Sequence, residues 1–137
     1  MIGLLGKFAK EFEIRDRINY LIKNLDTKEI SGELSDISTA SSFRFPVTKE
    51  TSGELIKVST VLGGAIATAD ATITISNQAN SIGTITVAYS GSAEGDIDSL
   101  SPSNTYRHLS EGDWIEIATD GASTNTINLG FILSIRR

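Results

Sequence analysis

The sequence predicts a mainly β protein, an antiparallel β-sandwich of jelly-roll or immunoglobulin-like type, preceded by an N-terminal amphipathic α-helix. Three observations support this fold class. Apolar residues before residue 26 recur at helical spacing. After residue 42, apolar residues alternate with Thr and Ser at a period of two, over about seven short segments. Gly, Asn and Asp occupy the gaps between those segments, as expected for turns.

The helix is predicted over residues 4–25, which contain no Pro. Its apolar residues do not form one stripe. At 100° per residue, Leu5, Phe8 and Phe12 lie about 120° away from a second group, which consists of Ile14, Ile18, Leu21, Ile22 and Leu25. The helix either lies across its own sheet or uses one half to contact another chain, and the second interpretation is favoured. The mixed charge argues against a helix on a membrane surface.

The chain is therefore divided into a helical segment (1–30), a linker or extended arm (31–41) and a β-sandwich domain (42–137). The middle stretch is polar, with isolated apolar residues, which is typical of a linker and also of a docking arm. Because the predicted strands and turns all lie after residue 41, the domain from 42 to 137 is expected to fold without the helix.

The strands follow in order, separated by turn sequences. They are predicted at 42–47, 54–62, 71–77, 83–89, 104–109, 113–119 and 126–136. The last is the longest and most apolar, so it should be central or paired across an interface. Leu129, Phe131 and Leu133 share one of its faces, whereas Ile132 lies on the other beside Gly130. Apolar residues on both faces predict self-association, most simply as a closed symmetric oligomer.

Composition excludes several kinds of site. The chain has no Cys, so it has no disulfides and no thiolate metal ligands or nucleophiles. Its net charge of −5 argues against nucleic acid as a partner. Residues 1–30 carry six basic and five acidic residues, and 31–137 carry six and twelve, so the two parts offer different surfaces. No apolar run approaches the ~20 residues of a membrane span, and the start does not resemble a signal peptide.

Residue types that could support chemistry occur without the partners that chemistry requires. His108 is the only histidine, and it is expected to be a solvent-facing residue at a strand end. Glu94, Asp96 and Asp98 form the densest acidic cluster. They are expected in a solvated loop, although spaced carboxylates also suit Ca²⁺. Trp114 opens an alternating strand and is expected to be a core or interface anchor. We expect no catalytic residue, metal or cofactor.

The second half of the chain resembles a family of tailed-bacteriophage virion proteins, the capsid cement or decoration proteins of marine and cyanobacterial phages. The resemblance spans residues 67–136. It is carried by IATADATITI at 66–75, IGTITV at 82–87, GSAEGDIDSL at 91–100, EGD at 111–113 and TDGAST at 119–124. The N-terminal helix is not part of the pattern.

The resemblance implies a non-enzymatic protein on the outer surface of a virion capsid, where it bridges capsomers as an oligomer, with a trimer favoured and a dimer possible. The implied partner is the major capsid protein. The residues expected to bind that partner are Leu5, Phe8, Phe12, Ile18 and Leu21. Those expected at the oligomer interface are Leu129, Phe131, Ile132 and Leu133. The alternative function is a receptor- or glycan-binding sandwich of a phage fibre or appendage.

Overall fold

A computed structural model of the chain describes residues 27–137. This part of the chain is an antiparallel sandwich of two β-sheets. The predicted helix at 4–25 lies outside the described residues, and so do the five residues expected to bind the capsid partner: Leu5, Phe8, Phe12, Ile18 and Leu21. The sandwich predicted from the period-two pattern is confirmed by the two sheets.

Nine strands of residues 27–137 make up the two sheets, with 3₁₀ turns at Lys49–Thr51 and Thr105–Arg107. The strands are β1 (Thr27–Leu34), β2 (Ser41–Pro46), β3 (Gly53–Leu62), β4 (Ala71–Asn77), β5 (Asn80–Val87), β6 (Ile97–Leu100), β7 (His108–Leu109), β8 (Trp114–Thr119) and β9 (Leu129–Arg136).

The first sheet, called sheet A here, has the order β1-β9-β3-β6, with β7 also paired to β3. The second, sheet B, has the order β2-β8-β4-β5. Apart from the short β7, the pairing is nested. The first strand pairs with the last, β2 with β8, β3 with β6, and β4 with β5. All of these pairs are antiparallel, so each sheet combines strands that are distant in sequence.

The core lies between the sheets and follows from strict alternation along the strands. In β4 and β8 every second residue is buried, and the intervening Thr, Ser, Ala, Glu and Trp side chains lie on the outer face. Each large apolar side chain buried in this way contributes about 1.5–3 kcal/mol to stability. The largest fully buried side chains include Ile37, Leu55, Leu62, Ile73, Ile75, Ile115, Ile117, Leu129, Leu133 and Ile135.

The last strand lies where its sequence predicts. β9 sits between β1 and β3 inside sheet A, with eight paired residues on the β1 side. Leu129, Phe131, Leu133 and Ile135 point into the core. A strand this apolar avoids exposing a free edge because both of its neighbours are present. The prediction of a central position is therefore confirmed.

The linker predicted at 31–41 is wrong in its first part. Residues 31–34 belong to β1, which begins at Thr27 and closes the edge of sheet A beside β9. Leu34 is buried, and Ile37 lies fully in the core just after the strand. The sandwich therefore includes β1, which lies before the predicted boundary at 42. β1 is poor in apolar residues because it is an edge strand, and for that reason the period-two pattern does not reveal it.

Two other segments also differ from expectation. The acidic stretch expected as a loop contains strand β6, which pairs with β3 from Val58 to Val61. Conversely, most of the strand predicted at 104–109 is a 3₁₀ turn followed by the two-residue β7. The side chain of Asn77 holds this turn, donating hydrogen bonds to the carbonyls of Tyr106 (3.2 Å) and His108 (3.3 Å).

Glycines on two edge strands leave room for bulky neighbours. At one side, the Gly32 backbone lies against the ring of Phe131, so a Cβ at that position would come within 2.6 Å of the ring. At the other, Gly83 accommodates Leu100, whose Cδ2 would be 2.7 Å from such a Cβ. The bulky partner at each side comes from sheet A.

Candidate interaction surface

The outer face of sheet A carries three exposed, β-branched apolar side chains. Val61 on β3, Ile97 on β6 and Ile132 on β9 are 43%, 70% and 42% exposed. We call these three residues the apolar strip. Val61 and Ile97 are directly paired across β3 and β6. Ile132 is the diagonal neighbour of Val61, because Val61 pairs with Gly130 on β9. The strip thus runs across three adjacent strands.

Small, uncharged residues lie directly beside Ile132 in the strip. Ile132 pairs with Ser31 on one side and Ser59 on the other, and Ser59 pairs in turn with Ser99. With Gly130 beside them, these short side chains project little from the sheet, so another backbone element can approach closely. The neighbouring edge strand is acidic, because Glu29 and Glu33 alternate with the inward residues of β1.

Three of the four residues expected at the oligomer interface are not available for one. Leu129, Phe131 and Leu133 are buried in the core of their own sandwich, with at most 2% of their surface exposed. Their period-two spacing places all three on the inward face of β9. Only Ile132 is exposed on the outer face. β9 thus carries apolar residues on both faces, but its inward face is covered by sheet B and not by another chain.

Two members of the strip are absent from the sequence-based interface. Ile97 is missing because its segment is expected to be an acidic loop. Val61 is missing because it belongs to a predicted strand in which the sequence pattern does not distinguish the two faces. In β3, Val58, Thr60 and Leu62 are buried. Once that burial is known, period two places Val61 outward. The sequence alone does not show which face is inward, because the adjacent Val61 and Leu62 are both apolar.

A second exposed apolar group lies at the open side between β1 and β2. The Phe43 ring is 38% exposed and packs edge-on against Phe131, with ring centroids 5.5 Å apart. Phe45 lies beside it, at 6.1 Å between centroids. Edge-to-face contacts of this kind are favourable beyond the area they bury. Phe43 is therefore already engaged by its own chain over much of its surface.

Trp114 does not lie in the core. It is half-buried on the outer face of sheet B, at the first position of β8. The Arg44 guanidinium stacks 5.1 Å from the centroid of the indole ring and forms an ion pair with Glu116. A flat aromatic platform for a sugar ring needs an open face. Arg44 covers this one.

One end of the sandwich contains an open depression of about 570 Å³. Lys49, Leu109, Glu111 and Arg137 are among the residues that line it. The Arg137 guanidinium has local partners, because it donates to the Lys49 carbonyl at 2.7 Å and lies 3.6 Å from the Glu50 carboxylate. The remaining lining residues are Ser52, Gly53 and Ser110, so the depression is mixed in polarity.

Nearby, the carboxylate of Glu54 joins β3 to its neighbours. Arg107 Nε donates to it at 2.9 Å, and Arg136 of β9 lies 3.6 Å away. The hydrogen bond from Arg107 lowers the pKa of Glu54 below its ordinary value, and the positive charges of Arg107 and Arg136 add to this. The charge cluster connects the 3₁₀ turn, β3 and β9, which is a structural role.

The residues with potential for chemistry are dispersed. His108 is exposed at the start of β7, as its position predicts. Asp96 Oδ2 accepts a hydrogen bond from the Ala93 backbone at 2.8 Å, as expected for a carboxylate within a turn. Within residues 27–137 no three His, Cys, Asp or Glu side chains are grouped so that they could hold a metal ion. Over the same residues, no helix is long and apolar enough to cross a membrane.

The matches among solved structures come from different kinds of protein. A chain of the acidic stable capsid structure of Helicobacter pylori bacteriophage KHP30 matches with a TM-score of 0.53 and 13% identity, covering 81% of this chain and 87% of that one. A chain of the cyanophage Pam1 capsid asymmetric unit has a TM-score of 0.48 and 13% identity, covering 81% of this chain and 84% of that one. The C-terminal family 6 carbohydrate-binding module of the laminarinase LamC from Zobellia galactanivorans matches with a TM-score of 0.49 and 10% identity. The match covers 80% of this chain and 99% of that module.

No protein-family model matches the chain, and no curated protein matches it. At these identities the structural likeness shows the fold alone. One fold can serve many functions, so the function of this chain has to be argued from its own surfaces.

Proposed function

We propose that the protein is a virion structural protein, a cement or decoration protein that binds the outside of an assembled phage capsid and stabilises it by bridging capsomers. The two-sheet topology supports this proposal, together with the structural likeness to a chain of the bacteriophage KHP30 capsid structure. The nested strand order is that of a jelly roll, a topology used by viral capsid domains and by lectins.

The proposed mechanism is multivalent clamping. Each copy makes a modest contact, and the high effective concentration on the capsid lattice makes the set of contacts hard to remove. A cement protein stabilises the shell because it binds the assembled state in preference to free subunits. In this scheme the sandwich is the outward body and the apolar N-terminal residues Leu5, Phe8 and Phe12 contact the major capsid protein.

Two measurements on particles test the proposal. A cement protein should be present in purified virions at a fixed, high copy number relative to the major capsid protein, as measured by quantitative mass spectrometry. Adding the protein to capsids that lack it should raise the temperature at which the shell opens. A copy number limited to a few per particle, or no change in shell stability at full occupancy, would contradict the proposal.

The attachment residues are tested by a double variant, Phe8→Ser with Phe12→Ser. Each buried Phe contributes about 1.5–3 kcal/mol, so losing both should weaken capsid binding by orders of magnitude. The control is Thr84→Ser with Thr86→Ser, which changes exposed residues on β5. Both variants should show the wild-type circular dichroism spectrum. Wild-type occupancy of the Phe double variant on capsids would show that these residues are not the anchor.

The alternative function, a receptor- or glycan-binding module, has support from two exposed aromatic side chains, Tyr89 and Tyr106. They do not form one platform. Tyr89 follows the end of β5, whereas Asn104, two residues before Tyr106, bonds to the Ser81 carbonyl near the start of β5. A binder of this kind would be present in few copies per particle and would retain glycans on an array. The copy number therefore separates the two functions.

A further inference from the structure

We infer that the apolar strip is the docking site for residues 14–25 of the same chain. The cover is formed by the apolar stripe of the predicted helix: Ile14, Ile18, Leu21, Ile22 and Leu25. Docking itself does not depend on the proposed function. One consequence of docking does rest on the proposed function. If residues 14–25 cover the chain's own sheet, Leu5, Phe8 and Phe12 are left to contact the capsid.

The point where the chain enters the sandwich places the segment within reach. Residue 26 precedes Thr27, which pairs with Arg136 at one end of sheet A. Ile132 lies four residues further along β9, or about 13 Å at 3.3 Å per residue. A helix over residues 14–25 is about 18 Å long at 1.5 Å per residue. Its apolar stripe can therefore span from the entry point to the strip.

The two surfaces also match in shape. A helix that packs on a sheet needs a low, apolar surface, and Gly130, Ser59 and Ser134 supply the low positions around Ile132. The five side chains of the stripe span about three helical turns, or roughly 16 Å, which is enough to cover the strip's width of two strand spacings, roughly 10 Å. Leaving both surfaces in water would expose two apolar groups on one chain, which burial against each other avoids.

The charges on the β1 side of the strip complement those of the predicted helix. Glu29 and Glu33 form an acidic border along β1, whereas the exposed Lys57 on β3 lies on the opposite side of Ile132, across from Ser134. In the predicted helix, Arg15 and Arg17 lie on opposite flanks of the apolar stripe, at about 100° per residue. One of these two arginines therefore faces the acidic border whichever way the helix runs. Exposed ion pairs add only about 0–1 kcal/mol each, so they orient the helix more than they hold it.

A second copy of the chain fits the strip less well. A stable interface between separate chains buries about 800 Å² on each partner, and three partly exposed side chains supply only a small part of that. A tethered segment needs less area, because the covalent link already keeps it at a high effective concentration. From the sequence, Ile18 and Leu21 are expected to bind the capsid partner. Docking instead places both residues against the chain's own sheet.

Cysteine cross-linking on the full chain tests this docking. The chain contains no Cys, so a single pair can be introduced without background. The test pair is Ile18→Cys with Ile132→Cys, and a second pair, Ile14→Cys with Val61→Cys, protects against a local effect of one substitution. The control pair is Ile18→Cys with Thr84→Cys, which places the second thiol on the exposed face of sheet B. Oxidation is followed at about 1 µM protein, well below the mM effective concentration of a docked pair.

Docking predicts that both test pairs form a disulfide within one chain at least about tenfold faster than the control pair. The product migrates as a monomer on a non-reducing gel and gives the peptide that links positions 18 and 132. Cross-linked dimers as the main product would assign the strip to a second copy and overturn the inference. Rates equal to the control for both test pairs would overturn it as well. Neither outcome bears on capsid copy number, so this test and the test of function can fail separately.

Discussion

Gly53 is a position where the backbone itself requires glycine. Its φ is +143°, and a Cβ there would lie 2.5 Å from the carbonyl oxygen of Arg136. The oxygen belongs to β9 and cannot move aside without breaking the sheet. We expect Gly53→Ala to destabilise the protein by about 1–3 kcal/mol, from backbone strain and the clash together.

The matched control for this substitution is Gly95→Ala. Gly95 also has a positive φ, of +90°, but a Cβ there would meet nothing within 4 Å. Gly95→Ala should therefore lower the free energy of unfolding through backbone strain alone, and by less than Gly53→Ala does. Urea unfolding of both variants measures the difference. Equal losses would mean that the contact with β9 adds nothing.

Glu54 should make the stability of the sandwich sensitive to acid. Hydrogen bonding to Arg107 lowers its pKa below the ordinary value of 4.5, which means that folding favours the carboxylate. The associated stability is therefore present above pH 4.5 and is lost as the pH falls through the lowered pKa. Glu54→Gln removes the titrating group, and Tm should then fall less steeply in the acid range below the ordinary pKa.

Thermal melts across the acidic range up to neutral pH check this expectation, with Glu94→Gln at an exposed position as the control variant. The control should keep the wild-type slope. A Glu54→Gln protein with an unchanged acid slope would show that the Arg107 contact does not persist in solution.

At the scale of elements, β1 extends the folding unit upstream of residue 42. It forms a complete eight-residue ladder with β9 and buries Leu34. A fragment of residues 27–137 should therefore fold cooperatively. A fragment of residues 42–137 would expose the hydrogen-bonding edge of β9, together with Phe131 and Leu129, and should aggregate or melt without cooperativity.

The shorter fragment is the one that the sequence pattern alone would select as a complete domain, so comparing the two isolates the contribution of β1. Far-UV circular dichroism, a thermal melt and size-exclusion chromatography measure the difference. A cooperative, monodisperse 42–137 fragment with the Tm of the longer one would show that β1 is dispensable.

The two faces of β9 should respond differently to truncation of a side chain. Leu133→Ala leaves a cavity between the sheets and should cost about 2–5 kcal/mol in both the full chain and the 27–137 fragment. Ile132→Ala removes an exposed side chain in the fragment, where it should cost at most about 0.5 kcal/mol. If residues 14–25 dock on the strip, the same substitution should cost more in the full chain. Denaturant unfolding of the four proteins measures this difference.

At the scale of the whole molecule, the oligomeric state stays a prediction. Three of the four residues proposed for the interface are core residues, and the fourth, Ile132, is assigned to contact with the chain's own N-terminal segment. A trimer of the full chain would therefore have to form through other surfaces, such as Leu5, Phe8 and Phe12 or the open side at Phe43. Sedimentation equilibrium at micromolar concentration distinguishes trimer, dimer and monomer. A monomer would restrict trimers to the capsid surface.

Local patterns in the sequence are enough to establish the class of the fold and the position of its last strand. Period-two alternation in 71–77 and 113–119, with turn residues between segments, is local information, and local information is sufficient to predict strands. The same pattern identifies the continuous apolar face of β9, because side-chain direction in a strand depends only on parity. The absence of Cys and the single His restrict the possible chemistry whatever the fold.

What each face packs against depends instead on the tertiary structure. The inward face of β9 is buried by the opposite sheet and not by a second chain, because the nested pairing brings distant strands together. The polar stretch at 27–34 becomes a strand because β9 supplies its partner, and Ile97 joins Val61 and Ile132 because β6 pairs with β3. Such pairings are long-range. Their stability comes from hydrogen bonds and burial between segments far apart in sequence, which the local pattern of either segment does not contain.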